Sequence, residues 1–178
     1  MRRISVAFMV VAAFMLLTAS VAQAAPSQKL KTFGTGEVTL TGTDATIVNT
    51  AGEYGGVYIQ ANSQRNTSIS DVDFSFTSTG DVGGGAPRFS IPIYDPTVNG
   101  SVNGYAFMDA ANCGGISDES TLVSTDAATC AVFFGAGSYA NWDAFATANP
   151  TFRTSPGSVA FVIADVPGDY AVTGIVLS

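Results

Sequence analysis

Polar and apolar residues alternate with a period of two along this chain, and turn residues break the alternation every few positions. That pattern constrains the fold more than any other feature of the sequence. The clearest example runs from Asp71 to Thr77: Val72, Phe74 and Phe76 fall on one side, Asp71, Asp73, Ser75 and Thr77 on the other. Side chains alternate across a β-strand, so this is the signature of a half-buried strand. The alternation recurs at Val38–Leu40 and Arg88–Tyr94, and further short β-like runs lie at Thr46–Val48, Val57–Gln60, Tyr105–Met108, Ala131–Phe134 and Tyr170–Leu177. Val159–Ala164 is apolar throughout, which predicts a strand covered on both faces. Pro92 has no N–H to give a ladder. It therefore predicts an edge strand, a bulge or a hydrogen bond omitted on one side.

One segment departs from this rhythm. Ser138 to Pro150 is rich in alanine, opens on a residue able to cap a helix and closes at Asn149-Pro150. Tyr139, Trp142 and Ala146 share a helical face there, with Phe145 beside it. The expectation is an all-β chain: an antiparallel β-sandwich, jelly-roll-like, of nine or so strands, with one short helix near 139–148 packed over a sheet edge.

The N-terminal stretch reads as an address. Arg2 and Arg3 precede an apolar run from Ile4 to Leu17, and Ala22-Gln23-Ala24 has the small-x-small form cut by signal peptidase. The run is too short for a stable membrane span. Residues 1–24 are therefore expected to be a signal peptide, 25–34 a flexible leader and 35–178 a single β-sandwich domain, secreted and without a membrane anchor. In that setting Cys113 and Cys130 are expected to form a disulfide. Their spacing is too wide for a redox CxxC, and there is no histidine to complete a zinc site.

Charge and composition exclude several chemistries. Beyond residue 24 only Lys29, Lys31, Arg65, Arg88 and Arg153 are basic, against fourteen carboxylates. A chain this acidic does not neutralise a phosphate backbone, so nucleic acid and anionic membranes are not expected partners. The absence of histidine removes Ser-His-Asp and Cys-His catalysis. Glycosidase chemistry needs two carboxyl groups flanking a bond. Asp71 and Asp73 are the nearest such pair, about 7 Å apart along one strand, and also read as a solvent-facing polar row.

The acidic turn residues offer oxygen ligands for one cofactor, calcium. Its ligands would come from Asp95 and Asn99, or from Asp165 and Asp169 around Pro167-Gly168; in each case the residues also read as turn formers. The loop Gly80–Gly85 lacks the lysine of a phosphate cradle and reads as a hairpin loop, and Asn66-Thr67-Ser68 matches a glycosylation acceptor.

Tyr54, in a glycine-flanked loop, and Tyr58 and Tyr94, on the outer sides of their strands, are candidate rings for stacking against sugars. The expectation is a secreted, non-catalytic binding module for carbohydrate or another cell-surface molecule, with Tyr54, Tyr58, Tyr94, Asp71 and Asp73 as candidate ligand-binding residues. The alternatives are a structural or interaction protein of the cell envelope or extracellular matrix and, third, a secreted hydrolase acting through its acidic residues.

Overall fold

The computed structural model describes residues 28–98, 103–116 and 119–178. The expected signal peptide, residues 1–24, and the calcium candidate Asn99 lie outside the described residues. Thirteen strands and one α-helix make up the rest: β1 (Lys29–Gly34), β2 (Glu37–Thr41), β3 (Asp44–Asn49), β4 (Gly55–Gln60), β5 (Phe74–Gly80), β6 (Arg88–Tyr94), β7 (Asn103–Asp109), β8 (Thr121–Ser124), β9 (Val132–Phe134), β10 (Gly137–Tyr139), α1 (Trp142–Ala148), β11 (Arg153–Thr154), β12 (Ala160–Ala164) and β13 (Gly168–Leu177). All strand pairings are antiparallel.

The strands form two packed sheets, an all-β sandwich. The larger runs β1-β4-β12-β6-β7-β9-β10, with β11 also paired to β6; the smaller runs β2-β3-β13-β5-β8. Eight strands carry the topology: β3, β4, β5, β6, β7, β8, β12 and β13. Counted along the chain, the smaller sheet holds the first, eighth, third and sixth of these side by side, and the larger sheet holds the second, seventh, fourth and fifth. That order is the double Greek key of a jelly roll. Strands β1 and β2 extend the two sheets at one edge, and β9 and β10 extend the larger sheet at the other.

The core is made by the alternation itself. Val57, Ile59, Phe89, Ile91, Ile93, Met108, Val132 and Val162 point inward from the larger sheet; Ile47, Phe74, Phe76, Val123, Tyr170, Val172 and Ile175 meet them from the smaller. The Phe74 and Phe89 rings sit 4.2 Å apart across the sandwich, with Trp142 edge-on to Phe74 at 5.2 Å. Removal of this much apolar surface from water is what chiefly holds the two sheets together. Cys113 and Cys130 are joined, with sulfurs 1.99 Å apart, at the end of the β7–β9 region. Among the described residues no helix is long and apolar enough to cross a membrane.

Three local expectations change, and for Pro92 one of the three expected readings, a hydrogen bond omitted on one side, is the one found. Residues 29–34, expected within a flexible leader, form strand β1, six residues in register with β4. Its alternation is short, and it becomes a strand because β4 offers an open edge. The strand expected at Asp71–Thr77 begins only at Phe74. Val72 is still buried, but a 3-10 turn at Ile69–Asp71 precedes it, and Asp73 pairs both backbone groups with Ser178, the last residue of the chain. The helix starts at Trp142, capped by Asn141, whose side-chain oxygen accepts the N–H of Ala144 at 2.9 Å. Ser138 and Tyr139 instead turn back as β10 against β9, so they are not free to start the helix. Finally, Pro92 lies inside the larger sheet. On one side of β6, β12 pairs with Arg88–Ser90 and β11 pairs with Ile93–Tyr94. Pro92 falls between these two partners, where an N–H is not required.

Candidate functional site

The two outer faces of the sandwich differ in kind. On the smaller sheet the outward positions are mostly short and polar: Thr39 faces Thr46, Thr173 faces Thr77, and Ser75 faces Ser124, with Val48 and Leu122 as exposed apolar exceptions. On the larger sheet aromatic rings cluster at the middle of the outward face. Directly opposed residues of an antiparallel pair share a face. The registers therefore align Lys31, Tyr58, Phe161, Ser90, Phe107 and Phe133 in one row across β1, β4, β12, β6, β7 and β9. Six strands at about 4.8 Å spacing make this row about 24 Å long. Phe33 lies one outward position along β1, and Tyr105 one along β7.

The rings touch in sequence. Phe33 stacks on Tyr58 with centroids 4.1 Å apart, and Phe161 stands edge-on to both, at 5.8 and 6.1 Å. Tyr105 reaches Phe161 at 5.0 Å and lies parallel to Phe107 at 6.4 Å. The guanidinium of Arg88 sits 5.4 Å over the Phe107 ring. All five rings are half-buried, with their outer surfaces open. They also cover the outer side of β12, which explains why Phe161 and Ile163 could be apolar on the face turned from the core. Ser90 lies beneath the rings in the same row, fully buried, and its hydroxyl has no hydrogen-bond partner. Beside Tyr105 is a cleft of about 180 Å3 lined by Pro92, Ile93, Gly104, Tyr105, Ser155 and Ser158. Enclosed small-molecule pockets run to about 300–1,000 Å3, so this space suits one ring-sized group of a longer ligand.

The tyrosines singled out from sequence separate into two groups. Tyr58 is in the row. Tyr54 joins its end: it is 43% exposed, with its ring 6.4 Å from Phe33. Its turn is held by Glu53, whose carboxylate accepts the N–H and hydroxyl of Thr50 at 2.8 Å each. Those bonds, the backbone one first, hold the Glu53 carboxyl below its ordinary value. Tyr94 is on the same outer face but beyond the row; it faces Arg153, and its hydroxyl donates to Asn66.

The acidic candidates lie elsewhere. Asp71 ends the 3-10 turn before β5 and accepts a bond from Ser70. Asp73 accepts from Thr125 and shares a shallow space of about 80 Å3 with Asp126, room for a few waters. The structure therefore brings neither Asp71 nor Asp73 to the tyrosines. Two further spaces add little chemistry. One of about 20 Å3, where β6 changes partners, is lined by Gln64, Arg65 and Pro92 among others. Another, about 470 Å3 and open, lies between α1 and Ser68–Ser70, with Asp143 as its one carboxylate and no aromatic ring.

The calcium candidates are engaged in local bonds. Asp95 accepts the Thr97 hydroxyl at 2.7 Å and its N–H at 2.9 Å, which hold its carboxyl below the ordinary value, the hydroxyl bond contributing most. Asp165 forms a two-pronged pair with Arg88, and the N–H of Asp169 donates to Asp81. Among the described residues no group of three or more Asp, Glu or Cys is placed to hold a metal ion.

Phe33, Tyr105, Phe107, Phe133 and Phe161 were not singled out from sequence as site residues. Tyr105 and Phe107 lie in the run Tyr105–Met108, where neither alternate set of residues is marked as outward by a charged or strongly polar side chain. Comparison with protein-family models, curated proteins and solved structures finds no match.

Proposed function

We propose that this protein is a secreted, non-catalytic carbohydrate-binding module, and that it binds through the aromatic face of its larger sheet. The observation that carries the reading is the row of touching rings, Phe33, Tyr58, Phe161, Tyr105 and Phe107, on a sheet surface whose counterpart on the other sheet is threonine and serine. A solvated sheet face has no need of stacked rings for stability; hydroxyl residues serve there, as the smaller sheet demonstrates. Sugar rings present C–H faces that pack on flat aromatic surfaces, with hydroxyls satisfied by nearby polar groups. Ser155 and Ser158 beside Tyr105 supply such groups. A linear face without a deep enclosed cavity suits a polymer better than a small metabolite. The disulfide and the N-terminal stretch fit an extracellular setting.

Retention of the mature protein on a panel of immobilised and soluble polysaccharides tests the reading. Binding to at least one glycan is expected, lowered tenfold or more in Tyr105→Ala and Tyr58→Ala variants that keep the wild-type circular dichroism. Absence of retention across the panel, or binding untouched by both substitutions, rejects it. An apolar face of this kind also fits the reading as an interaction protein. A dimer in light scattering that Tyr105→Ala dissolves, with no glycan bound, would favour that role.

A further inference from the structure

The charge distribution narrows the ligand class. The protein carries fourteen carboxylates and is acidic overall; of the five cations among the described residues, four sit on strands of the larger sheet. Lys29 and Lys31 project from β1 on the outer side of the larger sheet, opposite Gln60 and Tyr58, and both are exposed. Arg88 lies over Phe107 on the same face, and Arg153 faces Tyr94 at its far end. Arg65, in the loop after β4, lines the small space at Pro92. On the outer face of the smaller sheet the charged residues are Glu37, Asp44 and Asp169.

Of the carboxylates near the aromatic face, one is neutralised by an arginine and two are hydrogen-bonded by uncharged neighbours. Asp165 is taken by Arg88, with nitrogen–oxygen contacts of 2.8 and 2.5 Å. Asp109, opposite Arg88 in the register, accepts the N–H and side-chain amide of Asn112. Asp95, next to Tyr94, is closed by Thr97. Lys29, Lys31 and Arg153 make no ion pair with a carboxylate of the described residues. Lys31 is the first member of the aromatic row itself, one strand from Tyr58 and two from Phe161.

An acidic protein in which Lys29 and Lys31, exposed and without an ion pair among the described residues, border an aromatic face presents charge complementarity there to a negatively charged ligand. We propose that the face takes an anionic polysaccharide: sugar rings stack along Tyr58, Phe161 and Tyr105, and acidic substituents meet Lys29 and Lys31. This inference rests on the glycan-binding reading and specifies its ligand class.

The test compares three soluble polymers by affinity electrophoresis and titration calorimetry: polygalacturonate, which is carboxylated, dextran sulfate, and neutral dextran. Mature wild-type protein, Lys29→Gln/Lys31→Gln and Tyr105→Ala are each run at about 50 mM and about 500 mM salt, a range over which surface charge is progressively screened. At least one anionic polymer is expected to bind ten times or more tightly than dextran. The double lysine variant should lose fivefold or more of that affinity, and high salt should weaken wild type more than the variant. Preference for polygalacturonate assigns the acidic group as carboxylate, and preference for dextran sulfate as sulfate. Dextran bound as well as both anionic polymers, with Tyr105→Ala abolishing the binding, overturns the anionic class and leaves the glycan reading standing. Anionic binding unaffected by the lysine substitutions overturns the role of Lys29 and Lys31. No binding to any polymer here or on the wider panel removes both. The lysines are exposed on an edge strand, so unchanged melting of the double variant separates lost binding from lost folding.

Discussion

The ring of Phe33 lies over Gly56: a Cβ built on that glycine would stand 2.6 Å from Cζ of Phe33 and 2.3 Å from the carbonyl oxygen of Val162. Both distances are shorter than real contacts allow, so the bare backbone of β4 is what lets β1 lay its ring against Tyr58.

Gly56→Ala is therefore expected to destabilise the protein by about 1–3 kcal/mol, the usual range for overpacking. It should also displace Phe33 from Tyr58. Chemical denaturation measures the first effect. Loss of ring-current shifts on the Tyr58 ring protons measures the second. Unchanged stability would mean that β1 can move away at no cost.

The Cys113–Cys130 disulfide closes a loop with a sequence separation of 17. In the chain-entropy model a loop of this length contributes about 3 kcal/mol. Replacing both cysteines by alanine should lower Tm by roughly 10 °C at this chain size. Calorimetry on the double variant checks it, and an unchanged Tm would show that the reduced chain is already constrained.

Trp142 is buried at the start of α1, and its indole N–H donates to the carbonyl of Ile69 at 2.8 Å. That bond ties the helix to the turn preceding β5. Trp142→Phe keeps a ring in the core but leaves the Ile69 carbonyl without this partner, at a cost of about 1–3 kcal/mol. Hydrogen exchange should rise in α1 and around Ile69 before it rises in β6 or β13. Uniform protection in the variant would contradict the role of this bond.

Tyr170 is fully buried, and its hydroxyl donates to the carbonyls of Val166 and Pro167, each at 3.2 Å. Burial raises its pKa above the ordinary 10.0, with further increments from the charges of Asp81 and Asp165. The folded state therefore keeps the phenol proton where the unfolded chain releases it. The corresponding stability is complete below pH about 10 and is lost as pH rises through the folded-state ionisation. Urea midpoints measured from pH 8 to pH 11 should fall more steeply for wild type than for Tyr170→Phe. Parallel curves would disprove the linkage.

Much of the architecture was legible in residues read one by one. The alternation at Arg88–Tyr94 placed a strand and its inward side chains, because polar residues and Pro92 marked the outward positions, and the runs at Val57–Gln60 and Tyr170–Leu177 placed two more strands. The cysteine pair followed from its even count, and the short helix from its alanine content and the Asn149-Pro150 stop. Where two segments competed for one stretch, local signals failed. Ser138 has the chemistry of a helix cap, but pairing with β9 claimed it for a strand. Residues 29–34 carry a weak pattern and joined the sheet only because β4 had a free edge.

The candidate site was less legible. Tyr54 and Tyr58 could be named from local context, but the row they belong to runs across strands whose members are as far apart in the chain as Lys31 and Phe161. The sequence by itself determined a period-two chain, an even cysteine pair, a scarcity of cations and a lack of histidine: enough for a β-sandwich and for the chemistries it does not run. Only the tertiary structure decided which side of β7, β9 and β12 faces out, and so which rings and lysines stand together. The reason is physical. Period two divides a strand into two faces without labelling them, and when both faces carry apolar side chains only the packing of one sheet on another assigns the inside.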